Sequence, residues 1–261
     1  AEPILKQALV GYEEILGRGN QQTSRARKNL ALLYESQGNF REAEPLYKES
    51  LAYLIETQGE DFTDTIAVRN NLAFLYMLME DFEQSAEMFE QVLEQWMVLF
   101  GEDHQATLKA LNNLGRIYHR LNRLEEAEQL VLQALDIRRS VLGSEHPDVV
   151  RSMVDLGSIY IDEKRLDEAD ATLSEALALA EKVLGDQHPY TFEALNNLAR
   201  VKEAQNLLQA AVQLREIGFS RRSGFLDRML WVTGENAREG YVRLHRPEFN
   251  EYLSLLTRLE S

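Results

Sequence analysis

The chain has 261 residues, with 43 Asp and Glu against 28 Lys and Arg, and a formal net charge of −15. A surface of that sign repels phosphate backbones and anionic headgroups, which argues against general nucleic-acid or membrane binding. Cysteine is absent, so disulfides, thiolate zinc sites and a cysteine nucleophile are excluded.

Residues 1–16 open with AEPILKQAL, which matches AEPLYKESL at residues 43–51. They are expected to form the second helix of a hairpin without its first. Starting in mid-hairpin and without Met, the chain reads as an excised fragment. The uncovered apolar face of this helix otherwise offers a contact to a second copy. Four full units follow, with predicted helix pairs at 24–38 and 40–58, 65–80 and 82–100, 107–121 and 124–142, and 149–163 and 166–184. In the third unit Leu111, Leu114, Ile117, Tyr118 and Leu121 recur at helical spacing, as do Leu124, Ala127, Leu130, Val131, Ala134 and Leu135. Each set gives one apolar helix face. Asn122-Arg123 between them is so short a break that the helices must run antiparallel.

A fifth pair, at 191–204 and 207–217, degrades. Lys202 stands where the earlier units have Tyr, and position 227, where the next terminal glycine is due, is Asp. The array is therefore expected to span residues 1–218, followed by a C-terminal segment, 219–261. Residues 215–261 hold eight Arg, no Lys and seven acids. Phe225, Leu226, Met229, Leu230 and Val232 predict a short helix. Pro247 sits at the first position of another, with Phe249, Tyr252, Leu253, Leu256 and Leu259 along one stripe. Such a pair would cap the open face of the last repeat.

The units are copies of one another. Leu30, Leu72, Leu114, Leu156 and Leu198 step by 42 residues, as do Gly17, Gly59, Gly101, Gly143 and Gly185. Small residues recur on both helices, at Ala31, Ala73, Gly115, Gly157 and Ala199 and at Ala43, Ser85, Ala127, Ala169 and Ala211. They let the helix axes approach to about 8–10 Å. One hairpin cannot bury both of its faces, so neighbours must stack. The Leu-(Gly/Ala)-x-x-Tyr pattern, with the phrases LNNLGRIY, NNLAFLY, NLALLY and GSEHPDV, resembles the tetratricopeptide repeat (TPR). The 42-residue period, longer than the usual 34, resembles the repeats of kinesin light chains and of bacterial sensor and scaffold proteins. The resemblance covers residues 1–214. It implies an all-α TPR superhelical solenoid with a C-terminal helical cap, and a binding role along the concave face lined by the first helices.

Asn29, Asn71, Asn113 and Asn197 recur at one first-helix position, with Asp155 standing in once. In kinesin-light-chain-like repeats, asparagines of this type hold an extended peptide backbone, for which an amide has both donors and acceptors. The alternative is that they register neighbouring helices, and both readings stay open. One turn to either side lie Lys109, Arg116 and Arg120, with Arg151 and Arg200 in the next units and Arg25 and Arg69 toward the other end. They would draw an acidic or phosphorylated segment, or else pair with acids such as Asp155 and Asp162. Leu32, Phe74, Met77 and Leu78 add an apolar stripe that is either ligand pocket or core. Lys28 followed by Leu32 does not reproduce the clamp of chaperone-adaptor TPRs.

His104, His146 and His188 also step by 42, too far apart for one metal ion, and read as helix-start devices. The paired acids Glu125-Glu126 and Asp167-Glu168 sit where acids favour a helix N-terminus. No phosphate loop, nucleophile elbow or metal signature appears. The sequence thus predicts a non-catalytic protein-recognition scaffold with no cofactor. It predicts no nucleic-acid or membrane partner and, without a secretory signal, a cytoplasmic location. Two alternatives stand. The tail order, ending in Tyr252–Leu256, resembles the segment before the caspase-like CHAT peptidase domain of bacterial TPR proteins, which would make the chain the recognition arm of a larger protease. The other is a scaffold that self-associates.

Overall fold

A computed structural model describes residues 2–233 and 254–255. Among the described residues the longer elements are all helices: α1 (Glu2–Leu16), α2 (Gln21–Ser36), α3 (Phe40–Gln58), α4 (Thr63–Leu78), α5 (Phe82–Phe100), α6 (Gln105–Arg120), α7 (Leu124–Leu142), α8 (Pro147–Asp162), α9 (Leu166–Val183), α10 (Pro189–Ala204) and α11 (Leu208–Thr233). The chain packs as two compact units, residues 1–130 and 131–261. In the first, α1 to α6 pack each against the next. In the second, α9 packs on α8, α10 on both α8 and α9, and α11 on α10.

Three backbone devices recur with the 42-residue step and explain where the helices stop. Gly17, Gly59, Gly101, Gly143 and Gly185 end the second helices with φ between 84° and 95°, a region that glycine enters without a Cβ penalty. Within each hairpin, Gly38, Glu80, Asn122, Lys164 and Asn206 take left-handed φ values of 59–75°. The residue after each closes the turn: Asn39 N–H donates to the Tyr34 carbonyl at 2.8 Å, and Arg123 N–H to that of Tyr118 at 2.8 Å. That is the six-to-one bond of a Schellman cap. At the helix starts, Nδ1 of His104, His146 and His188 accepts from the N–H two residues on, at 3.1–3.2 Å, as the Asn20 side chain does at 2.8 Å. The histidines are therefore N-caps, and they set the helix starts two residues earlier than the apolar pattern alone suggests. Phe62 holds the same position before α4 and makes no side-chain cap bond, forgoing about 1 kcal/mol.

A fourth device escaped the sequence reading. Thr23, Thr65, Thr107 and Thr191 are buried, and each Oγ1 donates to the carbonyl of the glycine six residues earlier at 2.7–2.8 Å. Each bond ties a first helix to the end of the preceding second helix. In α8 the position is Val149. Thr107→Val is expected to cost about 1 kcal/mol of stability by removing that bond while keeping the shape of the side chain. Urea unfolding of the variant against the parent measures it; an unchanged midpoint would mean water replaces the bond.

The small-residue positions are where the hairpins close. Ala43, Ser85, Ala127, Ala169 and Ala211 are all fully buried, and Ser85 Oγ donates across to the Ala73 carbonyl at 2.8 Å. Buried Tyr76 and Tyr118 extend their hydroxyls to Glu44 and Glu90 at 3.1 and 2.7 Å. A cation covers each ring of the series: Lys6 for Tyr34, Lys48 for Tyr76, Arg123 for Tyr118 and Arg165 for Tyr160, at 3.7–5.7 Å from the centroid. Burial, together with the Glu90 carboxylate that accepts its hydrogen, pushes the Tyr118 phenol up to about 12.

The end of the array departs from the expectation. α11 does not stop at residue 217 but runs unbroken through Gly218 to Thr233. Gly218 does not take the left-handed conformation of the terminal glycines, and a helical glycine costs only about 1 kcal/mol, too little to break a helix that packs on α10. The separate helix expected around 225–232 is part of α11. Leu255 is buried against Ala211 and Val212 of α11, with Leu208 beside it. It lies off the predicted stripe, whose residues Phe249, Tyr252, Leu253, Leu256 and Leu259 fall outside the described residues.

Candidate functional site on the first helices

In the first unit, α2, α4 and α6 leave the candidate positions open to solvent while their flanking apolar residues are buried. On α2, Arg25, Asn29 and Leu32 are exposed, Leu32 at 40%. On α4, Asn71 and Phe74 are half-buried and Leu78 is exposed. On α6, Lys109 and Arg120 are exposed, and Asn113 and Arg116 are half-buried. Leu30, Leu72, Leu111 and Leu114 on the other side of these helices are buried. The spacing of 25, 29, 32 and of 109, 113, 116, 120 is what one helix face requires. A shallow pocket of about 250 Å³, open solvent included, lies at the α2 end; Arg25, Lys28, Ser24 and Asp64 contribute to its lining.

The cations differ in how far they are already engaged. Arg120 is exposed and lies over the Phe82 ring, 4.8 Å from its centroid. Arg116 and Asn113 each have a partner within the fold. Arg69, placed with the basic patch by sequence, is not on this face: it is buried, donates to Gln95 and pairs with Glu60 at 3.6 Å. Its relative Arg27, two residues past Arg25, is likewise buried and pairs with Glu13 at 2.7 Å and Glu49 at 3.0 Å. A shift of two positions around the helix carries the charge from the open face into the inter-helix seam.

In the second unit the same positions are drawn further inward. Asn197 is buried and accepts from Arg200 Nη1 at 3.1 Å. Arg200 also pairs with Asp162 at 3.3 Å, so here the cation ties α10 to α8 and the amide holds the cation in place. Arg151 is half-buried and engaged within the fold. Sequence reasoning missed Arg138, a fully buried cation on α7 that donates to Ser152 Oγ and, at 3.4 Å, to the Asp148 carbonyl. Desolvation lowers its pKa from the ordinary arginine value. Its counterparts in α3 and α5, Leu54 and Trp96, are apolar, so the register signals a core position and not a cation. Among the described residues no cluster of His, Asp and Glu has the arrangement of a metal site. No helix among them is long and apolar enough to cross a membrane.

Stacked helical hairpins of fixed period, with small residues at the closure points and an open polar face on the first helices, define a helical repeat protein. The sequence match agrees: residues 1–56, 64–140 and 148–216 match the tetratricopeptide repeat, and the chain belongs to that family. No curated protein matches the chain as a relative. Among solved structures, a Podosopora anserina protein described as a kinesin light chain with nearly identical TPR-like repeats is 26% identical, covering 78% of this chain and 96% of that one with a TM-score of 0.67. BtubC (BKLC) from P. vanneervenii is 23% identical, covering 85% and 90% with a TM-score of 0.69. YrrB, described as a TPR protein with an unusual peptide-binding site, is 16% identical, covering 83% and 93% with a TM-score of 0.51. The kinesin-light-chain resemblance of the 42-residue repeat thus recurs among the solved neighbours.

Proposed function

We propose that the protein is a cytoplasmic recognition scaffold without chemistry of its own, and that it holds an extended acidic segment of a partner protein along α2, α4 and α6. The observation that carries this is the open face itself. In a molecule of net charge −15, α6 turns Lys109, Asn113, Arg116 and Arg120 toward one side with none of them in the core. Amides at 29, 71 and 113 supply backbone capture, the cations of α6 favour carboxylates or phosphates, and Leu32, Phe74 and Leu78 receive apolar side chains at the other end. Arg151, Asn197 and Arg200 belong to the reading as built from sequence; their engagement within the second unit makes them the weaker contributors.

The test is a titration of the full chain with labelled extended peptides, apolar at one end and rich in Glu or in Lys at the other. The Glu-rich peptide is expected to bind and to lose about tenfold or more in affinity, some 1.4 kcal/mol, in Arg116→Glu/Arg120→Glu. A preference for the Lys-rich peptide, or no change in the double variant, would remove the acidic-segment reading.

Self-association is the second reading. It draws on α1, where Ile4 and Ile15 are 70% and 81% exposed; a mass that rises with concentration in light scattering and falls back in Ile4→Ser/Ile15→Ser would favour it. The protease-arm reading rests on the tail sequence alone, and a His and a Cys further along the parent reading frame would be its evidence.

A further inference from the structure

One corner of the first unit is more apolar than its fold requires. α5 ends in Val98-Leu99-Phe100, exposed at 80%, 42% and 42%. The same three positions of α3 are Glu56, Thr57 and Gln58, and α3 is equally long and ends in an equivalent glycine. The last two positions are apolar again in the other copies, as Ile15-Leu16, Val141-Leu142 and Val183-Leu184, but the position of Val98 is Glu14, Glu56, Ser140 and Lys182 there, and no other copy has an aromatic residue before the glycine. Phe62, 47% exposed, occupies the capping position that Asn20 and His104 use, and gives up the cap bond they make. A residue that forgoes a cap and leaves half its ring in water adds little to the stability of the fold.

These side chains are held in one place. Gln95 Nε2 donates to the Glu60 carbonyl and to Asp61 Oδ1, both at 3.0 Å, pinning the loop before Phe62 to the last turns of α5. Leu99 follows Gln95 by one turn on the same helix face. The Phe100 ring stacks on Trp96 at 5.3 Å and on His104 at 4.3 Å between centroids, so it presents a fixed surface. The segments that carry these side chains are acidic: Glu56, Asp61, Glu94, Glu102 and Asp103 are exposed, Glu60 is exposed too but pairs with the buried Arg69, and residues 55–63 and 94–106 contain no Lys or Arg.

We infer that this corner docks a basic segment of a partner protein. One or two large apolar side chains of the segment seat on Phe62, Leu99 and Phe100, while flanking Lys and Arg meet the acids of these segments. The surface is opposite in charge to the helix face proposed above and independent of it. The acids also disfavour an anionic membrane as the occupant.

The test uses the full chain and two labelled peptides that share a phenylalanine and a leucine, one flanked by Lys and Arg and the other by Asp and Glu. The basic-flanked peptide is expected to bind saturably, about tenfold or more tighter than the acidic-flanked one, and to weaken with added salt. Leu99→Thr/Phe100→Gln, which installs the residues of α3, is expected to lose that affinity by a similar factor. Phe62→His, which installs the cap of α6, should also lose affinity while its unfolding midpoint equals or exceeds the parent's, separating binding from folding. Arg116→Glu/Arg120→Glu should leave this binding unchanged. Absence of saturable binding, equal affinity for both flanks, or full affinity in Leu99→Thr/Phe100→Gln overturns the inference. So does sedimentation showing that the parent self-associates and that variant does not, which would assign the corner to a second copy.

Discussion

Gly157→Ala is expected to destabilise the protein by about 2 kcal/mol, although alanine is the better helix former. A Cβ on Gly157 would lie 2.4 Å from Leu173 Cγ and 2.6 Å from its Cδ2, well inside contact distance. The helical gain over glycine is about 0.5–1 kcal/mol, and overpacking a close-fitting core costs about 1–3 kcal/mol, so the steric term wins. The register explains why other hairpins accept alanine here. Ala73 faces the position of Phe89, and Ala31 that of Tyr47, flat rings that admit a methyl group where a branched leucine does not. Gly157→Ala combined with Leu173→Phe should therefore recover part of the loss, a coupling that urea unfolding of the two single variants and the double measures directly. Strictly additive losses would show that the fit between these two positions is not what sets the glycine.

The second large effect concerns a buried ion pair. Arg215 on α11 is buried and pairs with Glu203 of α10 at 3.1 Å. One repeat earlier the same positions are Leu173 and Ile161, both buried, and at the other end of the array they are Tyr47 and Glu35, hydrogen-bonded at 2.9 Å. Glu203→Ile alone removes the carboxylate that pairs with a buried guanidinium at 3.1 Å and is expected to cost about 3 kcal/mol. Arg215→Leu strands a carboxylate that water partly reaches, and should cost about 2 kcal/mol. The double variant restores an apolar pair that the neighbouring hairpin already packs, and should lie within about 1 kcal/mol of the parent. Thermal or urea unfolding of the four proteins gives the cycle; a double variant as unstable as the summed singles would contradict it.

The fold was legible in the sequence because the signals that specify it are local and repeated. The leucines, the small residues and the terminal glycines each act within a hairpin or between adjacent ones, and the 42-residue register fixes them all at once. Where α11 ends was not legible, since a missing glycine says only that a stop is absent. The site was harder to read, because a cation's availability depends on partners far along the chain. Arg25 and Arg27 differ by two residues, yet one is exposed and the other buried between Glu13 and Glu49. Arg200 is held by Asp162 thirty-eight residues earlier. The threonine series carried the repeat period as plainly as the histidines and was available to sequence reasoning; its partner, a backbone carbonyl, leaves no trace in residue type.

The most direct measurement places a photo-crosslinking side chain at position 113 on α6 or at position 129 on α7. Both proteins are irradiated with the Glu-rich extended peptide. Asn113 is half-buried on the proposed face, whereas Gln129 is exposed on a second helix. Adducts at 113 and none at 129, suppressed by Arg116→Glu/Arg120→Glu, are what a ligand lying along the first helices produces. Adducts at 129, or equal labelling at both positions, would contradict binding on that face.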